Sequence, residues 1–126
     1  MKQNPKFCPY VRKDFNGITH IYDPVYMKNY YICIGVSNSK FRKIMKERIN
    51  LDFDKENSDG KFYVRKRKGQ NVGIIWSKDK SVTFIHECLH AVCWCMRDKD
   101  ISLTFESEEA FTYLLQFLIK WSLKKG

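Results

Sequence analysis

The sequence predicts an α+β fold, a small and mostly antiparallel sheet packed against two C-terminal helices. Three observations carry that expectation. Aromatic and β-branched runs bounded by turn residues occur at 30–36, 61–67 and 72–77, as strands require. A short polar turn separates the second run from the third, so those two should pair as an antiparallel hairpin. From Ser81 onward apolar residues recur instead at steps of three and four, the period of a helix packed on one side.

Chain length and composition set the outer bounds. At 126 residues the chain has room for one core, so residues 1–126 are expected to form a single domain. With 44% hydrophobic and 15% aromatic residues, it is too apolar to stay disordered. No apolar run approaches the roughly 20 residues of a membrane span, and the polar start MKQNPK lacks the apolar stretch of a signal peptide. The expected location is therefore the cytoplasm, with no membrane contact.

The N-terminal quarter holds all three prolines, Pro5, Pro9 and Pro24, and is expected to be extended or looped. Tyr30 to Val36 then reads as a buried strand closing on Ser37-Asn38-Ser39, a cluster suited to capping a helix. Phe41, Ile44, Met45 and Ile49 place that helix at about 39–50, with Lys40, Arg42, Lys43, Lys46 and Glu47 on its polar side. The acid-rich stretch from Leu51 to Gly60 invites comparison with a calcium loop. Counted from Asp52, however, the sixth position is Asn57 where such a loop needs glycine, so a plain surface loop is expected.

Lys61–Arg67 and Val72–Ser77, flanking Lys68-Gly69-Gln70-Asn71, form the expected hairpin. Val82, Ile85, Leu89, Val92, Cys93 and Met96 then define a helix of about sixteen residues that ends at Arg97-Asp98-Lys99-Asp100. Ser107-Glu108-Glu109 carries the cap-and-acid signature of a further helix start, and Ala110, Phe111, Leu114, Phe117, Leu118 and Trp121 continue it to the C-terminus.

Lys and Arg total 23 against 14 acids, a net charge of +9, so the surface should attract an acidic protein or nucleic acid. The densest cationic run, Arg65 to Lys68, falls on a strand that divides its charges between two faces, and it reads as a solvated strand end. The five cysteines, Cys8, Cys33, Cys88, Cys93 and Cys95, are odd in number and contain no CxxC pair. They are expected to be reduced and mostly buried.

Within the penultimate helix lies His86-Glu87-Cys88-Leu89-His90, an HExxH sequence holding two of the chain's three histidines. Residues four apart stack on one helix face, so both imidazoles can reach one zinc ion while Glu87 approaches a zinc-bound water. Zinc lowers the pKa of such a water and polarises a carbonyl; the glutamate takes the proton and passes it to the leaving group. Two histidines leave the metal short of a ligand. Glu106, Glu108 and Glu109 cluster at the next helix start, 19 positions from His90 to Glu109, and any of them can supply it. Helical projection sets Glu109 furthest from the apolar face of that helix, with Glu108 and Glu106 nearer.

His86-Glu87-Cys88-Leu89-His90-Ala91-Val92 followed by Ser107-Glu108-Glu109-Ala110-Phe111-Thr112-Tyr113-Leu114 resembles small phage-encoded zinc metallopeptidases of the zincin type, the minimal gluzincin pattern of HExxH plus a later glutamate. Gly73-Ile74-Ile75-Trp76 before the helix is similar as well, so the likeness covers about the last 55 residues. It implies a zincin-like core, with an edge strand before the zinc helix placed to bind an extended peptide. Carried onto this chain, it makes His86 and His90 zinc ligands, Glu87 the general base and Glu109 the third ligand. The implied activity is hydrolysis of a peptide or protein substrate inside a bacterial cell. Such an enzyme also needs an oxyanion-stabilising group, for which Tyr113 and His20 are the candidates. The alternative is a catalytically idle, zinc-stabilised binding protein that grips a host protein or nucleic acid through its basic surface.

Overall fold

The computed structural model describes residues 10–13 and 17–123. Strands β1 (Val11–Lys13), β2 (Ile18–Asp23) and β3 (Lys28–Ile34) lead into helix α1 (Asn38–Ile49). Strands β4 (Gly60–Arg67) and β5 (Gln70–Ser77) follow, then helices α2 (Val82–Asp98) and α3 (Glu108–Leu123). The five strands make one mixed sheet in the order β1-β2-β3-β5-β4. Three pairings are antiparallel, and the β3–β5 pairing is parallel because the chain crosses over through α1 between them.

The hairpin between β4 and β5 is tighter than the sequence suggested. Lys68 and Gly69 both take positive φ, 53° and 80°, the conformation of a two-residue turn whose twist matches its strands. Gln70 and Asn71 therefore join β5 instead of the turn. Helix α1 starts where the polar cluster predicts: Ser37 caps it, its side chain accepting from the Lys40 N–H at 3.2 Å. At its other end Asn50 takes φ 56° and its N–H donates to the Met45 carbonyl.

In the N-terminal region, expected to be extended or looped, the chain forms two extended strands, β1 and β2, that the sequence had not placed. Pro24 ends β2 in the turn that follows, in which Asp23 Oδ1 accepts from the N–H groups of Val25 and Tyr26. No proline falls between residues 10 and 23, so the ladder meets no missing donor there. Pro5, Pro9 and Cys8 lie outside the described residues.

Both sheet faces are covered. On one, Phe41, Ile44 and Met45 of α1 pack against Ile18, Tyr31, Cys33, Tyr63, Ile74 and Trp76. On the other, Phe84, Cys88, Ala91 and Val92 of α2 and Phe111, Leu114 and Leu118 of α3 pack against Ile21, Tyr30, Ile32 and Ile75. Strand β5 is buried on both faces, which explains its nearly continuous apolar run from Val72 to Trp76. It is consequently an interior strand: the edge on that side of the sheet is β4, whereas the expected edge strand was the one leading into the zinc helix.

Alternation along β4 divides the basic run as predicted. Arg65 lies over the rings of Phe53 and Tyr63 and Arg67 donates to the Tyr31 hydroxyl, both on the α1 face. Among the described cysteines all are free thiols; Cys33, Cys88 and Cys95 are buried and Cys93 is half-buried. No helix among the described residues is long and apolar enough to cross a membrane.

Candidate metal centre

Helix α2 buries Phe84, Cys88, Ala91, Val92, Cys95 and Met96, and this choice of face fixes where the HExxH residues point. At 100° per residue, His86 and His90 fall on the side away from that stripe, and both are exposed. Glu87 falls at the flank of the buried side and is only 7% exposed. The imidazole Nε2 atoms of His86 and His90 are 3.1 Å apart, with ring planes at 79°. Potential ligand atoms of His86, Glu87 and His90 all lie within 4.8 Å of one another, the one such group of three or more among the described residues.

These dimensions fit a small cation. Tetrahedral zinc with Zn–N of about 2.0–2.1 Å holds two ligand nitrogens about 3.3–3.4 Å apart, close to the spacing seen here. The histidines reach it without being desolvated, so the cost of burying polar groups applies to Glu87 alone.

What packs around Glu87 comes from the sheet edge. A methyl group on Gly60, the first residue of β4, would stand 2.7 Å from Thr83 Cγ2, 2.9 Å from the Trp76 carbonyl oxygen and 3.4 Å from Glu87 Cγ. The absence of a side chain at Gly60 thus lets the first turns of α2 lie directly on β4 beside the carboxylate. Sequence reasoning passed over Gly60 as the end of an acidic loop; its signal was a lone glycine opening a strand. Gly60→Ala should cost about 1–3 kcal/mol by overpacking, read as a lower midpoint of denaturant unfolding. An unchanged midpoint would show that Thr83 yields freely.

Neighbouring groups register the Glu87 charge. Burial pushes the Cys88 thiol up to about 12 and the carboxylate adds to the effect, so Cys88 stays protonated and apolar in character on the buried side of α2. Tyr63, across the sheet, is pushed up to about 12, first by burial and then by the charges of Glu56 and Glu87.

Glu109 lies outside this group. Helix α3 runs back along α2: near its end Ser122 accepts from Lys13 and lines a hollow with Lys80, which precedes α2. Near its start Ala110 and Tyr113 line a hollow with Asp23 and Tyr26, next to Lys28, which pairs with Asp98 at the end of α2. Glu109 therefore sits exposed beside the C-terminal end of α2, and at a 1.5 Å rise His90 is about 12 Å along the helix from Asp98. Glu106 and Glu108 share that exposed end.

Neither oxyanion candidate is brought to the pair. Tyr113 is 66% exposed on α3 and faces the β2–β3 turn. His20 stacks on Tyr31 on the α1 face, with the sheet between it and α2.

No protein-family model, no curated protein and no solved structure matches the chain.

Proposed function

We propose that this chain is a zinc metallopeptidase whose metal is held by His86 and His90 and whose general base is Glu87. The observation that carries the reading is the meeting of three side chains on adjacent turns of α2: two exposed imidazole nitrogens 3.1 Å apart and a buried carboxylate in the same 4.8 Å group. Zinc bound there supplies a Lewis acid and a water acidic enough to react near neutral pH. Glu87, held at the flank of the buried stripe beside Gly60 and Thr83, accepts the proton of the attacking water and delivers it to the leaving amine. The outer edge of β4, with its N–H and C=O groups free of a strand partner, offers an extended peptide a ladder beside the same helix.

Elemental analysis of protein purified without added metal should give about one equivalent of zinc per chain, and His86→Ala and His90→Ala should each lose it. A metal-free parent that takes up no zinc on titration ends the reading. The resemblance puts Glu109 on the metal, and Glu109 is not one of the His86, Glu87 and His90 group. Zinc affinities of Glu106→Ala, Glu108→Ala and Glu109→Ala, measured side by side, decide the point. A large loss confined to Glu109→Ala means that the first turn of α3 closes on the metal. Parent-like affinity in all three means that the chain supplies two histidines and solvent completes the coordination.

A further inference from the structure

The chain carries a net charge of +9. On the α1 face of the sheet, the seam between α1 and strands β1 and β2 opens into two successive hollows. One, of about 570 Å³, is lined by Lys40, Lys43 and Glu47 with Gly17 opposite. The next, of about 370 Å³, is lined by Arg12, His20, Tyr31 and Arg48. They follow one another along the seam, because Gly17 and Ile44 border the first while Ile18 and Arg48 border the second. Glu47 is the one acid among the described residues that line either hollow.

The second hollow has an aromatic floor. Strand register sets Arg12, His20 and Tyr31 in one row across β1, β2 and β3. His20 lies parallel to the Tyr31 ring, with centroids 4.5 Å apart and planes within 12°. The 2.8 Å contact between His20 Nε2 and Asn29 Oδ1 fixes the imidazole, and Arg67, donating to the Tyr31 hydroxyl, fixes the ring beneath it. A planar platform flanked by cations suits a planar, polyanionic ligand. An acidic peptide without aromatic side chains would satisfy the cations but place no flat ring on His20, and a duplex keeps its bases stacked on one another.

We propose that this seam binds single-stranded nucleic acid, one base stacking on His20 with flanking phosphates against Arg12 and, further along, Lys40 and Lys43. The surface is independent of the metal centre, which lies across the sheet.

The test is fluorescence anisotropy with a labelled oligothymidylate of about 15 nucleotides, titrated at several salt concentrations. The parent should bind with an affinity that falls steeply with salt. Arg12→Gln/Lys43→Gln should flatten the log–log salt slope by about 1.4, two phosphate contacts at about 0.7 each. His20→Ala should weaken binding about 5- to 150-fold, the loss of one stacked base, while His20→Tyr keeps it. Lys120→Ala, on α3 across the sheet, should bind like the parent. No binding by the parent overturns the proposal, as does parent-like binding by His20→Ala with its fold intact by circular dichroism. Displacement of the oligonucleotide by polyglutamate at equal charge concentration also overturns it, since that would mark a surface reading charge alone.

Discussion

Glu87→Gln should leave the fold and the zinc content intact while reducing peptide hydrolysis by a factor of about 10²–10⁴. The substitution keeps the shape of the side chain and its place beside Gly60 and Thr83, and it removes no imidazole. What it removes is the only buried carboxylate in the group, the proton acceptor of the proposed reaction. A neutral amide at a site 7% exposed costs less to bury than a carboxylate, so in zinc-free protein the melting temperature should stay level or rise. The pattern to look for is therefore opposed: stability kept or raised, metal kept, turnover lost. A library of proteome-derived peptides, compared between parent and variant by mass spectrometry, supplies the readout. Equal cleavage by both proteins would eliminate Glu87 as the base. A parent that cuts nothing in the library while holding zinc would favour the binding protein over the enzyme.

Much of the architecture was legible because its elements are local. The α1 boundaries followed from Ser37-Asn38-Ser39 and the apolar spacing of Phe41, Ile44 and Met45, and the β4–β5 hairpin from Gly69 between two β-rich runs. The HExxH triplet was legible for the same reason, since residues four apart on a helix meet whatever else the fold does. Long-range relations were not. Nothing in Lys28 to Ile34 says that its neighbour will be β5 in parallel, because that pairing depends on where α1 returns the chain. The place of Glu109 depends on the packing of α3 against α2: a separation of 19 residues permits a meeting with His90, but Glu109 is not in the group that His86, Glu87 and His90 form. The strands β1 and β2 were hidden by prolines that lie outside them.

The same distinction separates the two basic features. The Arg65–Lys68 run is conspicuous in the sequence, yet alternation along β4 disperses it, and only Arg67 comes near the His20–Tyr31 stack. Arg12, His20 and Lys43 are scattered in the sequence and come together only through strand register and the seat of α1. Charge clusters that matter to a partner are assembled by topology.

Trp76→Ala should be the most destabilising single substitution in the sheet, costing about 3–5 kcal/mol against the roughly 5–15 kcal/mol that hold a domain of this kind folded. Trp76 is 1% exposed in the interior strand β5 and stacks on Phe41 with ring centroids 5.7 Å apart, so truncation opens a cavity where α1 meets the sheet. Its indole N–H also donates to the Val36 carbonyl at 2.9 Å, tying the end of β3 and the entry of α1 to β5. Trp76→Phe separates the two contributions: it keeps a stacked ring, loses the hydrogen bond and part of the volume, and should cost clearly less than the alanine variant. Because the Trp76 side chain lies on the α1 face, its loss should lower the denaturant midpoint while zinc affinity of the folded fraction stays parent-like. Gly60→Ala, which presses on Thr83 and Glu87 directly, should weaken zinc binding as well as stability. If Trp76→Phe proves as costly as Trp76→Ala, the stabilisation resides in the Val36 hydrogen bond and not in the packing of the ring. If both melt like the parent, the α1 face is not the core that its burial implies.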